Sequence, residues 1–187
     1  MSSRAFVLVD RDGTLNAEHP GGYVLRPEDF VLLPGSLEGL QRLRDVGLPV
    51  AIVTNQSPIA RGWIDEARLE EIHARMHTLL AEADLHLQGV YVCPHAPGDG
   101  CGCRKPGTEL LLRAADDLGA SPADGFLVGD KVSDIEAGAR AGMTTILVRT
   151  GFGEDSLREG VRADHVAEDL REAAEVIMAL VAVQEAG

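Results

Sequence analysis

The sequence is short of cysteine, aromatic residues, positive charge and long apolar runs, and each shortage removes a class of protein. Three cysteines occur in 187 residues. They cannot all pair within one chain, and Cys101 and Cys103 stand too close for easy bridge geometry, so a disulfide scaffold is not expected. Four Phe, two Tyr and one Trp supply no stacking platform. The 17 basic residues against 30 acidic ones leave a formal charge of -13, which repels a nucleic-acid backbone or an anionic membrane. Neither is an expected partner. The opening MSSRAFVLVD has only the apolar run AFVLV before an aspartate, too short for a signal-peptide core or a membrane span. The expectation is a cytoplasmic protein, acting as a monomer or at most a weak homodimer. A small anionic substrate remains compatible with the overall charge, because a few cations dominate the field inside one cleft.

What is present is an alternation. Short apolar runs at 5–9 (AFVLV), 49–54 (PVAIVT), 89–92 (GVYV), 125–129 (GFLVG) and 144–148 (TTILV) are separated by stretches with apolar residues every three or four positions. This is the pattern of β-α-β units on a parallel sheet. Helices are expected over 36–46, 65–83, 107–118 and 133–141, with a sixth strand near 163–166 and a last helix over 167–183. The chain has no internal repeat, low-complexity run or linker, and its length suits one core, so residues 1–187 are read as a single α/β domain. In the 65–83 helix, Leu69, Ile72, Met76, Leu79 and Leu80 form the core-facing stripe. His73 and His77, four apart, lack the Glu of a metalloprotease pattern and are expected on a solvated edge.

In an open parallel sheet, ligands bind beyond the carboxyl ends of the strands. Four polar loops occupy such positions: DRDGTLN (10–16), TNQS (54–57), the turn ending in RKP (104–106) and GDKVSDI (129–135). Asp10 and Asp12, with one residue between them at a strand end, are able to face one reacting atom. One carboxylate attacks phosphorus while the other protonates the leaving oxygen and later activates water. Asp130 is a candidate magnesium ligand, since hard oxygen donors suit that ion. Thr54, Asn55, Gln56, Ser57, Lys105 and Lys131 are candidates to grip the phosphoryl group and the rest of the substrate. Asp134 either orients Lys131 or the metal's waters, or merely complements a helix N-terminus. Taken alone, DRDGT is also compatible with a plain turn.

All three cysteines fall in VCPHAPGDGCGCRKP, residues 92–106. Cys93, His95, Cys101 and Cys103 make three thiolates and one imidazole, a full tetrahedral set for structural zinc with no open position. The glycines at 98, 100 and 102 allow the tight turn. The expected function of this loop, 93–103, is to hold Arg104 and Lys105 beside the cleft.

The four loops together resemble the haloacid dehalogenase (HAD) superfamily of phosphatases. DRDGTLN, TNQSPIARG, CPH with CGCRKP, and GDKVSDI resemble in particular the heptose bisphosphate 7-phosphatases and the related histidinol-phosphate phosphatases, over about residues 6–151. The resemblance implies a Rossmann-like three-layer sandwich with little or no cap domain, Asp10 as nucleophile and Asp12 as general acid and base. It further implies magnesium held by the Asp10 carboxylate, the Asp12 carbonyl and Asp130, with phosphate held by Thr54 and Lys105. Asn55 and Arg104 would lie nearer the sugar or second phosphate, and Glu18, His19 and Gly21 would face the substrate. The function implied is a cytoplasmic hydrolase of carbohydrate metabolism, a magnesium-dependent phosphatase of a heptose bisphosphate or of histidinol phosphate. A noncatalytic, zinc-stabilised binding module is the alternative of another class.

Overall fold

The computed structural model describes residues 5–185. Six strands, β1 (Phe6–Val9), β2 (Val50–Asn55), β3 (Val90–Cys93), β4 (Gly125–Gly129), β5 (Thr144–Val148) and β6 (His165–Ala167), form one sheet in the order β3-β2-β1-β4-β5-β6. Every pairing is parallel. The order reverses direction between β1 and β4, so a crevice opens beyond their carboxyl ends, at Asp10 and Asp130.

The helices are α1 (Ser36–Asp45), α2 (Glu66–Ala81), α3 (Glu109–Asp117), α4 (Val132–Ala141), α5 (Gly153–Arg158) and α6 (Leu170–Glu185). Alternating strand residues divide the core. Val7, Val9, Phe126 and Val128 pack with Leu40 and Leu43 of α1, Ile72 and Met76 of α2 and Ile177 of α6. Phe6, Leu8, Ala51 and Leu127 pack with Leu110, Leu111 and Ala114 of α3 and Ala137 of α4. The period of two therefore buries both faces of the sheet and produces three layers. Between β1 and α1 stand only loops and a three-residue helical turn at Pro27–Asp29, so no cap domain is inserted there. Among the described residues no helix is long and apolar enough to cross a membrane.

Some boundaries depart from the sequence expectation. Asp65 is the cap of α2, accepting the Arg68 N–H at 2.8 Å, and not its first residue. Residues 165–167 extend as the edge strand β6 beside β5, which delays the last helix to Leu170. The six-residue α5 was not expected, being too short for helical periodicity to register. His73 is also not on a solvated edge: its Nε2 lies 3.1 Å from Nη1 of the fully buried Arg11. The Arg11 charge and burial drive its pKa down to about 3, burial being the larger cause. His77 is exposed.

Candidate active site

The sheet brings the four loops to one cleft of about 340 Å³, lined by Asp10, Asp12, Glu18, Gly22, Tyr23, Thr54, Asn55, Arg104, Lys105, Lys131, Ser133, Asp134 and Phe152. Larger hollows exist, including one of about 420 Å³ by Leu48–Val50 and Leu85–Gln88 at the opposite end of the strands. That hollow gathers no comparable set of buried charges.

Asp10 and Asp12 lie two residues apart yet have separate surroundings. Asp10 Oδ1 accepts from Lys105 Nζ at 2.8 Å. The same ammonium donates to the Val53 carbonyl at 2.7 Å and pairs with Asp134 Oδ1 at 2.6 Å. Burial disfavours the Lys105 charge, but Asp10 and Asp134 outweigh it and raise its pKa, so this lysine stays a cation. The Asp12 carboxylate instead accepts from Arg11 Nη2 at 3.0 Å on each oxygen, from Asn16 Nδ2 at 2.9 Å and from Gln56 Nε2 at 2.8 Å. Burial pushes its pKa up, yet the Arg11 charge and these bonds prevail and leave it below the ordinary carboxylate value.

Asp10, Asp130 and Asp134 are all buried, with oxygens within 4.8 Å of one another. Burial and the charges of Asp10 and Asp134 push Asp130 up to about 8 against the opposing pull of Lys131. Thr14 Oγ1 and the Phe152 N–H donate to its two oxygens, at 3.3 and 2.8 Å. Gly13 turns with φ +88, and a Cβ there would meet Asp130 Oδ2 at 2.2 Å, so the first loop passes the carboxylate only as glycine. Asp134 takes the helix-terminus role and pairs with Lys105, a partner the sequence did not suggest. Its Oδ2 accepts the Lys131 backbone N–H at the start of α4, at 3.0 Å, while Oδ1 pairs with Lys105.

Lys131 Nζ sits among the Asp12 carbonyl (2.9 Å), Glu18 (2.7 Å), Asp130 (3.3 Å) and Asp10 (3.8 Å), with the Phe152 ring 5.2 Å away. Asn55 is used as a brace, donating to the Lys105 carbonyl and accepting the Lys105 N–H, both at 3.1 Å. Gln56 and Ser57 are fully buried, facing Asp12 with Thr54 and the Tyr23 hydroxyl respectively. His19 and Gly21 stand outside the lining. His19 accepts the Gly21 N–H and lies 4.0 Å from Asp29. Arg11, Asn16 and Phe152 went unread in the sequence. For Phe152 no motif was available, whereas Arg11 and Asn16 lay inside DRDGTLN.

In the second cluster, Cys93 Sγ lies 3.3 Å from Cys103 and 3.8 Å from Cys101, and His95 Nδ1 lies 3.6 Å from Cys93 and 3.2 Å from Cys103. These are too long for disulfide bonds and close to the edges of a zinc–thiolate tetrahedron, about 3.8 Å between sulfurs for 2.3 Å metal bonds. Burial pushes the Cys93 thiol up to about 12, so its ionisation requires an adjacent cation. The Arg104 guanidinium donates to the His95 carbonyl at 3.0 Å, tying the cleft rim to the cluster.

Comparison with known proteins agrees with this arrangement. The HAD-hydrolase-like family model matches residues 102–173. D-glycero-β-D-manno-heptose-1,7-bisphosphate 7-phosphatase of Bordetella bronchiseptica is 38% identical over 178 residues, covering 92% of this chain and 97% of that protein. The enzyme of the same name from Escherichia coli K12 is 40% identical over 78% of this chain and 79% of that one. The crystal structure of the B. bronchiseptica D,D-heptose 1,7-bisphosphate phosphatase, complexed with magnesium and phosphate, superposes with a TM-score of 0.88 at 37% identity, covering 95% of this chain and 99% of that one. With this identity along nearly the whole length of both chains, the protein belongs to the D-glycero-β-D-manno-heptose-1,7-bisphosphate 7-phosphatase family of HAD-like hydrolases.

Proposed function

We propose that this protein is a magnesium-dependent phosphoric monoester hydrolase that removes the 7-phosphate of D-glycero-D-manno-heptose 1,7-bisphosphate through an aspartyl-phosphate, with the β anomer indicated by the relatives' names. The observation that carries this reading is the Asp10–Lys105 pair at the end of β1, beside the buried Asp130 and Asp134, in a chain with that family membership.

The charge balance of the cleft fits a divalent cation. Asp10, Asp12, Glu18, Asp130 and Asp134 face Arg11, Arg104, Lys105 and Lys131, so full ionisation leaves one negative charge in excess before any phosphate arrives. Asp10, Asp130 and the Asp12 carbonyl would hold magnesium, which supplies Lewis-acid stabilisation of the phosphoryl charge. Cys93, His95, Cys101 and Cys103 would hold zinc in a structural role.

The Asp10 carboxylate attacks phosphorus as the bond to the sugar oxygen breaks, and the Asp12 carboxyl gives its proton to that oxygen. Water then attacks the aspartyl-phosphate, returning a proton to Asp12 and freeing Asp10. Lys105 and Thr54 bind the equatorial oxygens, where charge concentrates in the transition state. Arg104 at the rim suits a second phosphate, because its planar fork matches phosphate oxygens. It disfavours the cationic remainder of histidinol phosphate.

The test is phosphorus NMR of the two bisphosphate anomers and of histidinol phosphate with enzyme and magnesium. The reading expects preferential loss of the 7-phosphate from the β anomer and no release by Asp10→Asn. Preferred hydrolysis of histidinol phosphate overturns the substrate assignment. Release that survives Asp10→Asn overturns the mechanism.

A further inference from the structure

Among the described residues Arg11 is the largest fully buried side chain, although it lies between the two aspartates of the cleft. It does not reach the substrate space. Its Nη2 and Nε hold the Asp12 carboxylate, and its Nη1 points the other way, to His73 Nε2 on α2 at 3.1 Å. His73 is held neutral, so this nitrogen accepts. Two amides complete the enclosure, and each does so at a cost. Asn16 Oδ1 and Gln56 Oε1 are buried without a hydrogen-bond partner, because only their nitrogens serve an anion. Leaving a buried acceptor unsatisfied forfeits its hydration with nothing in return, and turning either amide over would set an oxygen against the carboxylate. Four side chains from two loops and a helix are thus committed to one orientation of one carboxyl group.

We infer that Arg11, backed by His73, is a positioning residue that fixes the Asp12 carboxyl for proton transfer to the leaving oxygen and keeps it out of the neighbouring Asp10–Asp130–Asp134 cluster. The inference rests on the phosphatase reading above. As the phosphorus–oxygen bond breaks, the Asp12 proton passes to the sugar oxygen and Asp12 becomes the anion that Arg11, Asn16 and Gln56 hold. The attacking water later restores the proton to the same site. Arg11 itself exchanges no proton.

A leaving group that needs no proton distinguishes this role from general support of the fold. Single-turnover release of the alcohol, which reports aspartyl-phosphate formation and not the water step that both esters share, is compared for a sugar phosphate and p-nitrophenyl phosphate in the wild type, Arg11→Met, His73→Leu and His73→Gln, all with magnesium. General acid catalysis is typically worth 10²–10⁴-fold. Arg11→Met is therefore expected to lose about a hundredfold in the rate of alcohol release from the sugar phosphate and only a few-fold from the aryl ester, with half-saturating substrate concentrations within a few-fold for both. His73→Leu keeps the Arg11–Asp12 pair, so it shows the same selectivity at about tenfold. His73→Gln, whose oxygen is able to accept from Arg11, recovers most of it. Equal losses on both esters in His73→Leu, or in a folded Arg11→Met, overturn the inference while leaving the phosphatase reading intact. A wild type inert on both esters, or one whose turnover survives Asp10→Asn, overturns that reading and this inference with it.

Discussion

Lys105 Nζ lies 2.8 Å from Asp10 Oδ1 across 95 residues of sequence, with both side chains nearly sealed from solvent. The Val53 carbonyl accepts a second hydrogen bond from this ammonium at 2.7 Å, and Asp134 Oδ1 pairs with it at 2.6 Å. Removing one member of a buried pair leaves the other uncompensated. Lys105→Met is expected to destabilise the fold by about 3 kcal/mol in urea titrations. It is also expected to lower kcat about a thousandfold through the lost phosphoryl donor. Unchanged stability would mean that the lysine is not needed where the structure puts it.

Asp130 couples stability to pH and magnesium. In the folded protein it keeps its proton up to about pH 8, against 3.8 for an ordinary aspartyl group. Between those values the unfolded chain binds fewer protons, so this group makes stability fall as pH rises towards 8. Magnesium favours the ionised form and offsets the loss. The melting temperature without metal is expected to fall from pH 5 to pH 8, and magnesium to raise it more at pH 8 than at pH 5. Asp130→Asn should raise the metal-free melting temperature at pH 8 by about 5 °C and abolish both the magnesium response and turnover. Differential scanning fluorimetry with a chelator control reads the melting temperatures, and phosphate release reads turnover.

Arg104 separates the two phosphates of the substrate. A charge-assisted hydrogen bond is worth about 1.5 to 3 kcal/mol. Arg104→Ala is therefore expected to raise KM for the bisphosphate by about tenfold to a hundredfold, leaving KM for a monophosphate nearly unchanged. An equal rise for both would place Arg104 on the transferred phosphate instead.

Cys103→Ser tests the second metal. Its sulfur is 3.3 Å from Cys93 and 3.2 Å from His95, so losing it opens the tetrahedral set. Metal analysis should show zinc in the wild type and little in the variant. Turnover should fall as Arg104, tied to the His95 carbonyl, loses its anchor. Full turnover in a zinc-free variant would show that the Asn55 brace on the Lys105 backbone suffices to hold the loop.

Much of this was legible before folding, because it depends on local chemistry and on one topological rule. Apolar runs of period two and stretches of period 3.6 mark the β-α-β pattern, and parallel sheets collect ligands at the carboxyl ends of their strands. Asp10, Lys105 and Asp130 were therefore assignable to one place from strand positions alone. The cysteine turn was equally plain, since its four donors lie within eleven consecutive residues.

Side-chain direction was not legible, because it depends on what lies behind each residue. Gln56 and Ser57 stand in a loop that reads as substrate-facing, yet the first serves Asp12 and the second Tyr23. Asn55 binds backbone, and Asp134 joins Lys105 only because α4 starts where β1 and β2 end. Arg11, between two aspartates, went unread. Only the packing of α2 against the first loop, which brings His73 within 3.1 Å, gives it an inward partner. The sequence alone determined which chemical groups meet at the strand ends, since period and motif are properties of neighbours along the chain. The tertiary structure decided which of those groups face the substrate and which hold another in place, since that is settled by contacts between residues distant in sequence.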